Sequence, residues 1–179
     1  KTGVPAITSC GPGPAREVLI AQAAAMGAPL SLPGVDYRFE IVKTGSDWVF
    51  EDAGGRLTLP APGLAGRHQY ENAALAVAGA RALADRGWPV SRAAIDTGLT
   101  RVSWPGRLEC LGGTPEVLLD GAHNPLGMTV LARFLAESDR DPATRTLIFS
   151  ALNDKDLPTM IDLLAPWVGQ VVVVTVGGA

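Results

Sequence analysis

The sequence predicts an α/β protein in two parts, and three observations carry that prediction. From residue 105 onward, strand-like apolar runs at 107–111, 117–119, 146–151 and 170–176 are interleaved with helix-like segments at 125–137 and 157–168. Such alternation implies parallel strands joined by right-handed crossovers. Between Leu30 and Leu59, short segments instead alternate apolar and polar residues around a tight turn at 52–55, the pattern of an antiparallel meander. Trp104-Pro105-Gly106 separates the two regimes with consecutive breakers, which sets the expected boundary: one part over 1–104, another over 105–179.

The elements follow in order. Residues 4–8 read as a short buried strand, Gly11-Pro12-Gly13-Pro14 as a turn, and 15–26 as a helix stopped by Gly27. In the meander, Tyr37 to Val42, Trp48 to Glu51 and Arg56 to Leu59 supply the strands, and Pro60-Ala61-Pro62-Gly63 closes it. Residues 68–87 form an Ala-rich helix, apolar on most sides and therefore expected to be buried. Ser91 suits the cap of a second helix reaching about Gly98. In the second part, Val117-Leu118-Leu119 reads as a buried strand running into Asp120-Gly121-Ala122-His123. The next helix has Asn124 as N-cap and Pro125 at its first position. Ligands of open α/β sheets bind where a strand's C-terminal end meets a helix N-terminus, because free N–H groups and the helix dipole favour an anion there.

Composition excludes several classes. The chain has 179 residues, 47% of them hydrophobic, with a net charge of −3 and an isoelectric point near 5.3. No Lys/Arg run exceeds two residues, so neither a nucleic-acid footprint nor a basic membrane patch is present. The longest pure apolar runs are far too short to cross a bilayer. Cys10 and Cys110 fit no metal or CxxC spacing, which suggests two packed thiols in a reducing compartment and a cytoplasmic location. The chain starts at Lys1 without Met and stops just after a strand-like run, so it is expected to be a piece of something larger.

Four short motifs carry chemistry. In His68-Gln69-Tyr70-Glu71-Asn72, polar groups at the front of an apolar helix can cap N–H groups or face a ligand; the Asn72 amide offers one donor and one acceptor to a base edge. In Trp104-Pro105-Gly106-Arg107-Leu108-Glu109, Arg107 stands at the expected first strand position. It can pair with Glu109 on one strand face, or place its planar fork on a phosphate. Asp120 can be a turn former before Gly121 or an acceptor for ribose hydroxyls. His123, beside a helix N-terminus, is placed to touch an anionic substrate. Asp154-Lys155-Asp156 follows another strand end; it is a solvated loop with Asp156 capping the next helix, or part of a substrate site. The chain contains no G-x-x-x-x-G-K-[ST], and Gly11-Pro12-Gly13-Pro14 cannot replace it because each Pro lacks the N–H that a phosphate cradle uses. HExxH, CxxC and nucleophile-elbow motifs are also absent.

Together, His68-Gln-x-x-Asn72, Trp104-Pro-Gly-Arg107-Leu-Glu, Asp120-Gly-Ala-His123-Asn-Pro and Asp154-Lys155-Asp156 resemble, in this order, the folylpolyglutamate synthases and bifunctional dihydrofolate synthases of the Mur ligase superfamily. The resemblance covers the whole chain. It implies that 1–104 is the C-terminal part of a central P-loop-type ATPase domain of helices and antiparallel strands. Residues 105–179 would then be a truncated Rossmann-like C-terminal (glutamate ligase) domain with a mostly parallel sheet. ATP binds between these domains in the family. On that pattern Asn72 contacts adenine, Arg107 reaches the phosphates, Asp120 holds the ribose, His123 is catalytic near the phosphate and incoming glutamate, and the 154–156 loop faces the substrates. The implied reaction ligates L-glutamate to a folate or dihydropteroate carboxylate through an acyl phosphate, with ATP and Mg²⁺ as cofactors and the metal ligands upstream of Lys1. A monomer is expected, inactive by itself because the P-loop lies outside it. Two alternatives remain: a Mur-type ligase for a cell-wall precursor or another carboxylate, and a non-catalytic nucleotide-binding module.

Overall fold

Two parallel strands need a crossover between them, and the chain opens with one. Strand β1 (Ala6–Ile7) pairs in parallel with β2 (Leu30–Ser31), and helix α1 (Pro14–Ala25) connects them. Pro14 starts α1 where its missing N–H costs nothing, and Gly27, at φ 56°, ends it. This computed structural model describes residues 1–42, 47–152 and 154–175. It resolves two units, Lys1–Ser103 and Trp104–Ala179, each with its own hydrophobic core.

In the first unit, β3 (Tyr37–Ile41), β4 (Trp48–Asp52) and β5 (Gly55–Leu59) form an antiparallel meander with β4 in the middle. The Trp48 and Phe50 side chains are completely buried, and both meet the face of α2 (His68–Ala84) that carries Ala73, Ala74, Val77 and Ala78. Small alanines let this helix lie close to large aromatics. The Tyr37 hydroxyl donates to the Thr8 carbonyl at 2.7 Å; burial, and then the Glu71 carboxylate, push its pKa above the ordinary phenol value. Helix α3 (Arg92–Arg101) is capped by the Ser91 hydroxyl, which accepts from the Ala94 N–H at 3.1 Å. Gly63 is required beside it, because a Cβ there would lie 2.6 Å from the Thr100 carbonyl oxygen.

In the second unit, α4 (Pro125–Ala136) packs on α5 (Leu157–Leu164). Met128, Leu131, Phe149, Met160 and Leu164 form the core. Strands β8 (Thr146–Phe149) and β9 (Gln170–Val173) pair in parallel across α5. Pro125 and Asn124 begin α4 as the sequence implies: the Asn124 side chain accepts from the Gly127 N–H at 2.8 Å.

Several expectations need correction. Strands β6 (Glu109–Cys110) and β7 (Leu118–Leu119) are antiparallel, because the residues between them, 111–117, are too few for a crossover. The 117–119 run is not buried throughout. Leu118 packs on the core while its neighbours Val117 and Leu119 turn outward and are 47% and 46% exposed. Helix α5 stops at Leu164 and continues as a 3₁₀ turn, Ala165–Trp167, because Pro166 has no N–H for the next helical bond. Helix α2 buries one face only; Leu83 near its end is 47% exposed. Cys110 is exposed rather than packed. The far end of the expected 170–176 strand, at Val176, and Asn153 of the fourth motif fall outside the described residues.

Candidate functional site

The first cluster belongs to unit one. Gln69 is the buried polar side chain of α2, 4% exposed, at the start of an otherwise apolar helix face. A buried amide must be satisfied, and this one is: its Nε2 meets His68 Nε2 at 2.9 Å, and its Oε1 accepts from Asn72 Nδ2 at 3.0 Å. Residues three apart share a helix face, so Gln69 holds the Asn72 amide in one orientation. The Asn72 Oδ1 and its second N–H remain available as an acceptor–donor pair. Beside them lies a groove of about 430 Å³ between α2 and α3, lined by Gln69, Asn72, Ala76, Ile95, Leu99 and Val102 among others. Its walls are apolar except for the two amides. Such a groove suits a flat aromatic ring with one polar edge.

The second cluster belongs to unit two, and there the structure joins two of the motifs. Asp120, half-buried at the end of β7, accepts two backbone hydrogen bonds. Its Oδ1 takes the Ala122 N–H at 2.9 Å, and its Oδ2 takes the Leu108 N–H at 3.0 Å. The Gly121 N–H donates to the Gly106 carbonyl at 2.7 Å, and the Gly106 N–H donates to Glu109 Oε2 at 2.8 Å. The 106–109 turn and the 120–122 turn are therefore laced together. Gly106 sits at φ 69°, which a glycine adopts freely. Leu108 sits at φ 48° with its side chain 4% exposed, an uncommon conformation for a bulky residue.

This lacing corrects the expected place of Arg107. The left-handed residue after it interrupts the extended backbone, so β6 starts at Glu109 and Arg107 lies in the turn before it. The expected alternative partner, Glu109, instead accepts from the Gly106 N–H. The Arg107 side chain is exposed, with no hydrogen bond or ion pair among the described residues. His123 is also exposed. Its Nδ1 lies 3.0 Å from the Gly121 carbonyl, which can only accept, so Nδ1 carries the proton and Nε2 is the outward nitrogen.

The third group stands apart. Lys155 Nζ donates to Asp154 Oδ2 at 2.9 Å; that hydrogen bond holds the Asp154 carboxyl below its ordinary range. Asp156 caps α5, accepting from the Thr159 N–H at 3.3 Å. Among the described residues no hydrogen bond links this loop to Arg107, Asp120 or His123. No group of three or more His, Cys, Asp or Glu side chains able to hold a metal occurs there either.

The motifs give individual roles to Asn72, Arg107, Asp120 and His123, but contain Gln69 and Leu108 without a role of their own. The i, i+3 spacing to Asn72 was a usable signal for Gln69. Leu108 gave none, because leucine does not announce a left-handed backbone.

No family model matches the chain. It is 32% identical to the folylpolyglutamate synthase of Lacticaseibacillus casei over 182 residues, which is 99% of this chain and 42% of that enzyme. It is also 32% identical to the dihydrofolate synthase/folylpolyglutamate synthase of Bacillus subtilis, over 92% of this chain and 39% of that enzyme. The chain thus spans about two fifths of the length of these curated relatives. Among solved structures, Escherichia coli FolC in complex with ADP superposes with a TM-score of 0.84 at 29% identity, covering 100% of this chain and 41% of that one. A complex of FPGS with AMPPCP and folate gives a TM-score of 0.84 at 32% identity, over 100% of this chain and 44% of that one.

Proposed function

Because the chain is homologous along its length to folylpolyglutamate and dihydrofolate synthases, we propose that it is the C-terminal part of an enzyme ligating L-glutamate to a folate or dihydropteroate carboxylate at the expense of ATP. The observation that carries this reading is the braced turn of the second unit, where an arginine with no partner among the described residues stands beside an outward histidine; within the first unit, an oriented amide beside an apolar groove supports it separately. Residues 1–103 would come from the central ATPase domain and 104–179 from the glutamate ligase domain.

The chemistry assigns each residue a task. Asn72 offers its acceptor–donor edge to adenine, while the groove takes the ring face. Arg107 meets the nucleotide phosphates with its planar fork. Asp120 already accepts two N–H groups, but a carboxylate has about four lone-pair sites, so acceptors remain for ribose hydroxyls. The folate carboxylate attacks the γ-phosphorus of ATP, forming an acyl phosphate and releasing ADP. The glutamate amine then attacks the acyl carbon, and inorganic phosphate leaves from the tetrahedral intermediate. His123 Nε2 stands where it can contact that phosphate or the incoming glutamate. Catalysis of this kind is mainly positioning and charge neutralisation.

Mg²⁺, if bound with ATP, would supply charge neutralisation at the phosphates; among the described residues no group of three or more His, Cys, Asp or Glu side chains could hold it. Asp154 and Lys155 are proposed at the edge of the substrate site, with Asp156 chiefly a helix cap. The 179 residues contain no phosphate-cradling G-x-x-x-x-G-K-[ST] sequence, so by themselves they bind nucleotide without turning it over. A monomer in the cytoplasm is part of the same reading. Among the described residues no helix is long and apolar enough to cross a membrane.

The test is made in the longer enzyme carrying this chain. ADP release should require both a folate and L-glutamate. Arg107→Ala should raise the KM for ATP about tenfold, the size expected for a lost charged contact. His123→Ala should lower kcat more than it raises that KM. ADP release indifferent to folate and glutamate would overturn the reading.

A further inference from the structure

Arg107 has to be placed by its backbone, since its side chain has no partner among the described residues. That backbone is unusual. The next residue, Leu108, is left-handed at φ 48° although its side chain is buried, an arrangement that costs about 1–2 kcal/mol relative to the ordinary helical or extended regions. Such a conformation persists only where its surroundings over-determine it. Below, the Leu108 side chain is fixed in the core with Met128 and Leu131. On the other side, its N–H is taken by Asp120 Oδ2, a charge-assisted bond at 3.0 Å. The second Asp120 oxygen is fixed by the Ala122 N–H at 2.9 Å, so the carboxylate cannot swing away without breaking both bonds.

We propose that Asp120 is a positioning residue for Arg107: its carboxylate holds Leu108 in the left-handed turn and thereby sets where the arginine stands. The inference deepens the nucleotide reading above and rests on it for the ligand, though not for the clamp. It separates two roles for one carboxylate. A ribose contact is made by Asp120 directly, whereas the clamp acts on the phosphates through Arg107. An asparagine cannot replace it. Of the two oxygens accepting N–H groups, one becomes an NH₂, and a donor then faces a donor. Glu109 cannot take over either, because its carboxylate accepts from the Gly106 N–H.

The experiment has two arms. First, in the ¹⁵N-labelled chain, Asp120→Asn and Asp120→Ala should remove the exchange protection of the Leu108 amide. Its three-bond H–N–H–α coupling should change, and the order parameter of the Arg107 backbone N–H should fall. An unchanged Leu108 coupling and unchanged Arg107 order in both variants would overturn the proposal; Asp120→Asn, nearly isosteric, guards against a variant that merely unfolds. Second, dissociation constants for ATP and for inorganic tripolyphosphate, which offers no ribose for Asp120 to hold, are measured for the wild type, Asp120→Asn, Arg107→Ala and the double variant, and the coupling is read from tripolyphosphate. Each single change should weaken binding about tenfold, and the double should lie within about twofold of Arg107→Ala alone. Losses that multiply would show Asp120 acting without Arg107 and would defeat the proposal. If the wild-type chain binds no ATP while the first arm behaves as expected, the nucleotide reading fails and the clamp stands.

Discussion

The base contact proposed for Asn72 depends on one neighbour. The Gln69 amide, buried three residues earlier, engages one Nδ2 hydrogen and leaves the opposite edge of the asparagine open. Polar groups committed in this way read a base by its donor and acceptor positions. Asn72→Ala should therefore weaken ATP about tenfold while leaving inorganic tripolyphosphate unaffected; titration calorimetry with both ligands measures this, and equal weakening of the two would remove Asn72 from the base site. The same scale shows what residues in sequence can and cannot disclose. Asn124 and Asp156 are caps in the structure, as their positions before Pro125 and Leu157 imply. Arg107 was expected in a strand and lies in a turn, because a neighbour with no local signal adopts φ 48°.

Elements were legible where a local rule decides them. The meander follows from alternation, and its register is tight, with Asp52 opposite Gly55 across the β4–β5 turn. Helix α4 follows from Asn-Pro and its apolar period. The parallel pairing expected of β6 and β7 failed because alternation of apolar runs says nothing about connection length, and the short 111–117 connection permits only an antiparallel return. Helix α4 also carries the 120–124 turn on its first residues. Asn124→Ala should cost about 1 kcal/mol through loss of the Gly127 N–H bond. Amide exchange should show that loss in α4 and leave α2 of the other unit unchanged. Equal protection of α4 in both proteins would mean that the cap contributes nothing.

At the scale of the molecule, each unit carries its own candidate cluster. The first presents an apolar groove with an oriented amide; the second presents an arginine, a carboxylate and an imidazole around two laced turns. Two cores, one of aromatics against alanines and one of Met, Leu and Phe, keep these groups fixed within their own units. The lacing of 106–109 to 120–122 was invisible in sequence, since it joins the Asp120 carboxylate and backbone groups across 12 to 15 positions. The central proposal is that the laced turns of the second unit hold a nucleotide phosphate through Arg107. Titrating ATP into the ¹⁵N-labelled chain tests it most directly. Saturable shifts are predicted, with one dissociation constant, at the Arg107 Nε–H and the Leu108 and Ala122 backbone amides. Shifts that bypass these three groups would contradict it.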